Sequence, residues 1–174
     1  MYFSLNFQLL ALYLAYMIRV GVLRGGVSQE YDISLLVGGR VLSSLNRDKF
    51  MPIDLLITKD GEWHMNGLPV SPDKLKMSVD IIWNSLHGHF GEDGKVQQLL
   101  DSLSVPFVGS GMLASAICHN KVLAKERLKE LGYLIPKSRV LKCVDDDMVE
   151  LVAKDVFMTI SPPWVVKPLS GGSS

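Results

Sequence analysis

The stretch Ser85-Leu86-His87-Gly88-His89-Phe90-Gly91-Glu92-Asp93-Gly94 constrains this chain more than any other. Ahead of it, Val79-Asp80-Ile81-Ile82-Trp83-Asn84 is an apolar run that reads as a buried parallel strand. Behind it, Val96, Leu99, Leu100 and Leu103 recur at i, i+3, i+4 and i+7, as on the buried face of a helix. A loop between such a strand and helix lies at the strand's carboxyl end, where open α/β sheets bind ligands. Its glycines let the backbone bend and approach a ligand closely. Asp93 is placed to cap the helix, and Glu92 suits its positive end. Capping alone accounts for both acids. The rival reading is a metal site of His87, His89 and Glu92, for which no further His/Cys cluster supplies ligands. His64 and His119 stand alone and read as surface or packing residues.

The same order occurs near the start. Ile18 to Leu23 is a short apolar strand, followed by Arg24-Gly25-Gly26-Val27-Ser28-Gln29-Glu30. A helix follows, with Ile33, Leu36, Val37, Val41 and Leu45 on its expected buried face and Ser28 as its cap. The glycine spacing is not the G-x-G-x-x-G dinucleotide fingerprint. On the residues alone this is an anion or small-ligand site of low specificity, with Glu30 a first-turn acid. Met51 to Thr58 reads as the next strand, Lys59 to Glu62 as a turn, Trp63 to Met65 as a hairpin partner and Pro69 to Pro72 as loop. With the short segment Phe107-Val108, the order implies a parallel sheet covered on both faces.

A second unit starts near His119. Asn120 caps a helix with Ala124, Leu128 and Leu131 on one face, ended by Gly132. Lys121, Lys125 and Lys129 form a basic stripe on another face, by default a solvated one. Ser138 to Leu141 reads as a strand, and Asp145-Asp146-Asp147 opens another helix. Trp164 to Pro168 reads as a strand carrying Lys167, leading into Leu169-Ser170-Gly171-Gly172-Ser173-Ser174. A lysine beside a glycine-serine loop suits phosphate binding, and a solvated lysine with a flexible tail is the alternative.

Charge narrows the partners. Lys plus Arg and Asp plus Glu are both 18, so no global field favours nucleic acid or an anionic membrane. The two cysteines, Cys118 and Cys143, lack metal or redox spacing, which suits a reducing cytosol. Phe7 to Ile18 is apolar but shorter than the ~20 residues that span a bilayer, and no basic residue precedes it as in a signal peptide.

The loop from Ser85 to Gly94, together with Val105-Pro106-Phe107-Val108-Gly109-Ser110-Gly111 and Ala114-Ser115-Ala116, resembles the amino-terminal half of the D-alanine:D-alanine ligase family of ATP-grasp carboxylate-amine ligases. The resemblance starts at Met17-Ile18-Arg19-Val20 and runs to the last residue. It implies an α/β fold: a Rossmann-like parallel-sheet domain over 17–118, then the truncated start of an ATP-grasp domain over 119–174. Residues 1–16 would be a non-native or disordered extension, with Met17 as the true start.

The resemblance also implies site roles. Glu30 would lie near the amino group of the first D-alanine, and His87 and Ser173 would position D-alanine and link the two domains. Lys121 and Lys167 would hold ATP phosphates, with Gly171, Gly172 and Ser174 completing the loop. Family members usually have Asp-Lys where this chain has Asn120-Lys121. ATP and magnesium are the implied cofactors, the metal ligands lying in the carboxyl-terminal part. The implied activity is ATP-dependent ligation of two D-alanines through an acyl phosphate, for peptidoglycan synthesis in the cytoplasm. A D-lactate or D-serine ligase, or a non-catalytic α/β remnant, are the alternatives. Family members are often homodimers, and the chain alone reads as an inactive fragment.

Overall fold

The computed structural model describes residues 17–141 and 145–171. The elements run β1 (Ile18–Gly25), α1 (Tyr31–Ser44), β2 (Phe50–Ile57), β3 (Trp63–Met65), β4 (Leu68–Pro69), a 3-10 turn (Pro72–Lys74) and α2 (Leu75–Ser78). They continue with β5 (Ile81–Asn84), α3 (Lys95–Ser102), β6 (Phe107–Val108), α4 (Met112–His119), α5 (Lys121–Glu130) and α6 (Asp146–Thr159).

The strands form one six-stranded sheet in the order β4-β3-β2-β1-β5-β6. β2, β1, β5 and β6 are mutually parallel, as the alternation with helices requires. β3 and β4 add antiparallel to the edge beside β2, so the sheet is mostly rather than wholly parallel. The segment around Pro69, expected as loop, supplies the two-residue outer strand. Asn66 fixes this extension: its backbone takes φ +50°, and its Oδ1 accepts from the N–H of Asp54 at 3.1 Å. Leu23, Leu55, Ile57, Leu75, Ile82, Val96 and Leu100 are fully buried and form one core between sheet and helices. Burying each such side chain contributes about 1.5–3 kcal/mol against leaving it in water.

α1 departs from the expected burial. Its buried residues are Ser34 and Gly38, whereas Ile33 is 53% and Leu36 59% exposed. The helix packs through its small residues because Arg24 and Asp54 lie beneath it. A Cβ on Gly38 would come within 2.6 Å of the Arg24 Cβ. The Arg24 guanidinium in turn donates two hydrogen bonds to Asp54, at 2.6 and 2.7 Å. Helix periodicity placed a leucine stripe where a polar pair in the sheet demanded small residues. Ser28 is likewise not the cap: its Oγ accepts from the Glu30 N–H at 3.1 Å and donates to the His87 carbonyl at 2.7 Å.

Asn120 does cap α5, its Oδ1 accepting from the N–H groups of Val122 and Leu123 at 3.0 and 3.2 Å. Gly132 ends that helix in a left-handed conformation, donating to the Lys129 carbonyl. The expected apolar face of α5 is open, with Leu128 42% and Leu131 57% exposed. Neither Ser138–Leu141 nor Trp164–Pro168 forms a strand. Among the described residues no neighbouring strand offers either segment a ladder, and an extended run without one leaves its backbone groups to solvent. Among those residues, no helix is long and apolar enough to cross a membrane.

Candidate ligand cleft

The carboxyl ends of β5 and β6 open into a cleft of about 630 Å³. The loop after β5 supplies His87, Gly91 and Glu92; the turn after β6 supplies Gly109 and Ser110; α4 and α5 supply His119 and Lys121; and Gly171 closes the far side. The position follows from topology. Parallel strands flanked by crossovers leave a crevice beyond their carboxyl ends, and β5 lies between its parallel neighbours β1 and β6 here.

The loop after β5 is fastened at several points. The Glu92 Oε2 accepts from the Gly88 N–H at 2.9 Å, and the Glu92 N–H returns to the Gly88 carbonyl at 2.9 Å. His87 Nδ1 lies 3.8 Å from Glu92 Oε1. Glu92 therefore binds its own loop rather than serving chiefly as a helix acid. His89 faces Asp93 at 2.9 Å, and Lys95 lies 3.3 Å from its other ring nitrogen. The Asp93 Oδ1 also accepts from the Lys95 N–H at 3.1 Å, but the cap position of α3 is Gly94, in a left-handed conformation, so Asp93 stands one residue ahead of the cap expected of it. Burial pushes the Asp93 carboxyl up, but the backbone N–H groups of Phe90 and Lys95 outweigh it. With the electrostatic pull of His89 and Lys95 they leave that carboxyl below its ordinary range.

Gly88 takes φ +69°, and a Cβ there would lie 2.9 Å from the Glu30 Oε2. Glu30 does not line the cleft; it packs behind the loop at the start of α1. Its Oε2 is buried and has no hydrogen-bond partner among the described residues. Lys121 begins α5, its backbone N–H donating to the Leu169 carbonyl at 3.0 Å and its Nζ to the Gly171 carbonyl at 3.3 Å. An isolated bridge joins Asn120 to Ser170. The segment before Gly171 is thereby tied to the amino end of α5.

Of the residues singled out in the sequence, His87, Lys121 and Gly171 meet in one cleft, with Glu30 behind its wall. Lys167 is exposed and does not line it. Gly172, Ser173 and Ser174 lie outside the described residues, as does Cys143. Periodicity missed Asn84, Ser85 and Gln97, polar residues in the cleft wall. Gln97 stands beside Val96 on the buried arc of α3 and is only 6% exposed, so its place next to a core position was the available signal. Among the described residues, no group of three His, Cys, Asp or Glu side chains could hold a metal ion. His87 and His89 pair instead with different carboxylates.

A mostly parallel α/β sheet with a cleft at its strand ends, closed by a lysine-bearing helix and by Gly171, defines an α/β ligand-binding unit. Residues 65–110 match the family profile described as "D-ala D-ala ligase N-terminus". The D-alanine–D-alanine ligase of Bacillus anthracis is 35% identical over 156 residues, covering 90% of this chain and 47% of the relative. The solved D-alanine–D-alanine ligase of Coxiella burnetii superposes with TM-score 0.75 at 27% identity, covering 91% of this chain and 53% of that one. The Bacillus anthracis ligase solved in complex with ATP gives TM-score 0.63 at 30% identity, covering 88% and 48%. Over about 90% of its length the chain is thus similar to D-alanine–D-alanine ligases, in sequence and in fold. It spans about half the length of the curated relatives it matches.

Proposed function

We propose that this chain supplies the D-alanine end and the first phosphate contacts of an ATP-dependent ligase that joins two D-alanines. The observation that carries the reading is the cleft itself, with a carboxylate–histidine pair on one wall and Lys121 on the other. Residues 17–118 would form the first domain and 119–174 the beginning of the ATP-binding one.

In the proposed reaction a carboxylate oxygen of the first D-alanine attacks the γ-phosphorus, and ADP leaves. The amine of the second D-alanine then attacks the acyl carbon, and phosphate departs. A bare carboxylate is a poor electrophile, so this phosphorylation provides the leaving group. Such transfer depends chiefly on positioning and charge stabilisation. Glu30 would receive the ammonium of the first D-alanine. A buried carboxylate oxygen without a donor is costly, and a ligand cation would satisfy it. His87, held near Glu92, would orient that D-alanine, together with Ser173. Lys121 would place a point charge against the ATP phosphates. Lys167 would add a second, with backbone N–H groups of Gly171, Gly172 and Ser174 around them. The described residues do not present a magnesium site, so no step is assigned to that metal. Consumption of ATP and D-alanine would set the reaction in the cytoplasm, feeding peptidoglycan synthesis, with the homodimer common in the family.

The test is phosphate release from ATP by the enzyme that carries this chain, measured against D-alanine concentration. A charge-assisted contact is worth about 1.5–3 kcal/mol, or about 10- to 150-fold. Glu30→Gln should raise the D-alanine KM within that range while leaving the ATP KM within about twofold. Lys121→Ala should do the reverse. Phosphate release that ignores D-alanine, or a Glu30→Gln enzyme with unchanged D-alanine handling, would refute the proposal.

A further inference from the structure

The geometry points to Asn84 and Gln97 as positioning residues that jointly fix the Gly91 carbonyl, and through it the pairing of His87 with Glu92. Two side-chain amides from different elements converge on that one oxygen. The Asn84 Nδ2, at the end of β5, donates to it at 3.0 Å, and the Gln97 Nε2, on α3, donates at 2.9 Å. A carbonyl has two acceptor sites, so the pair saturates it. Asn84 also accepts from the Leu86 N–H at 3.1 Å, which ties both ends of the loop to one side chain.

Gly91 cannot shift inward to compensate, because a Cβ there would lie 2.5 Å from the Leu86 Cβ, and Leu86 belongs to the core. Glu92 is the next residue. Its two oxygens face the Gly88 N–H and the His87 ring, so fixing the Gly91 peptide fixes where both contacts can form. Gln97 is 6% exposed and its Oε1 has no partner among the described residues. A buried amide that satisfies only its donor end is an expensive way to fill space, and a leucine would fill it at less cost. The retained function is the hydrogen bond to Gly91. The consequence for D-alanine rests on the function proposed above, whereas the loop geometry does not.

The experiment is amide hydrogen exchange and His87 ring chemical shifts by NMR on the full 174-residue chain, without ligand, so a negative result leaves the ligase reading untouched. The variants are Asn84→Ala, Gln97→Leu and the double substitution. Asn84→Ala removes the donor to Gly91 without setting a charge against its carbonyl. Because each amide backs up the other, either single change should speed exchange of the Gly88 amide by no more than about threefold. The double change should speed it by about tenfold or more and move the His87 ring resonances, while the amides of Leu55 and Ile82 exchange as before. A folded double variant with Gly88 and His87 unaltered would overturn the assignment. So would core amides accelerating as much as Gly88, or failure of both single variants to fold, since either would make the amides supports of the core rather than of the loop.

Discussion

Ser34→Ala should destabilise this protein more than its size suggests. Ser34 is fully buried on α1, one of the small residues through which that helix meets the sheet. Its Oγ accepts from the Gly25 N–H at 2.8 Å and donates to the Ser85 carbonyl at 2.8 Å. It therefore links the carboxyl end of β1 to the residue that follows β5, the two strand ends under the cleft. Alanine would leave a buried donor and a buried acceptor unmatched, each costing about 1–3 kcal/mol. Partial relaxation brings the expected loss to about 2–4 kcal/mol, against a total of about 5–15 kcal/mol for a folded domain. Urea unfolding followed by tryptophan fluorescence reads this directly. With a slope of about 2 kcal/mol per molar, the midpoint should fall by roughly 1–2 M at unchanged slope. Ser43→Ala, which removes an exposed bond to the Arg40 carbonyl, should stay within about 0.5 kcal/mol. A Ser34→Ala loss below about 1 kcal/mol would refute the idea that this hydroxyl bridges two otherwise unmatched groups.

Gly88→Ala should cost about 1–2 kcal/mol for the left-handed backbone alone and push the Glu30 carboxylate aside; thermal unfolding with and without D-alanine would show both losses. Asp93 has a depressed folded pKa, so its contribution is present above the unfolded value of about 4 and is lost as pH falls through the folded one. Asp93→Asn should therefore flatten the decline of stability below about pH 4, and urea midpoints from pH 7 to 2.5 would show an unchanged decline if the assignment is wrong. Asn120→Ala removes the acceptor for two helix N–H groups and should lower stability by about 1 kcal/mol, while moving the ATP KM far less than Lys121→Ala does; equal effects on ATP would count against the lysine as the phosphate contact.

Much of the sheet could be read from the sequence because its strands are apolar runs bounded by glycine and its crossovers are helical. β1, β2, β3, β5 and β6 fall within two residues of the segments expected for them. The same holds for the Asn120 cap, where side-chain chemistry acts within a few residues, whereas the cap expected of Asp93 falls to Gly94. The failures are non-local. Ile33 and Leu36 carry the right spacing for a buried face, but Arg24 and Asp54 on two other elements decide which side of α1 can approach. The segments around Val140 and Val166 have strand composition without a partner strand among the described residues, and pairing is a property of two segments. At the cleft, the loop of His87 and the glycines of Gly88 and Gly94 announced themselves by pattern. Gln97 and Ser34 did not, since a buried polar residue within an apolar period shows its purpose only when its hydrogen-bond partners are known.

The cleft divides its chemistry by charge. Glu92 lies on the wall built by the β5 loop, with Glu30 behind that wall, where Ser34 and Ser28 spend hydroxyls on backbone rather than on a ligand. Lys121 lies across from them, on a helix whose first free N–H groups are already taken by Asn120. That allocation has a consequence for anion binding at this end. A helix start normally offers unpaired N–H groups to a phosphate, but here the cap occupies those of Val122 and Leu123, and Lys121's own N–H goes to Leu169. What remains for an anion is the lysine ammonium, whose contact with the neutral Gly171 carbonyl is 3.3 Å long. A phosphate oxygen would compete well with that carbonyl, because its negative charge adds a Coulomb attraction that a neutral acceptor lacks. The contact therefore holds Lys121 beside Gly171 while leaving its charge available for the phosphate role proposed above.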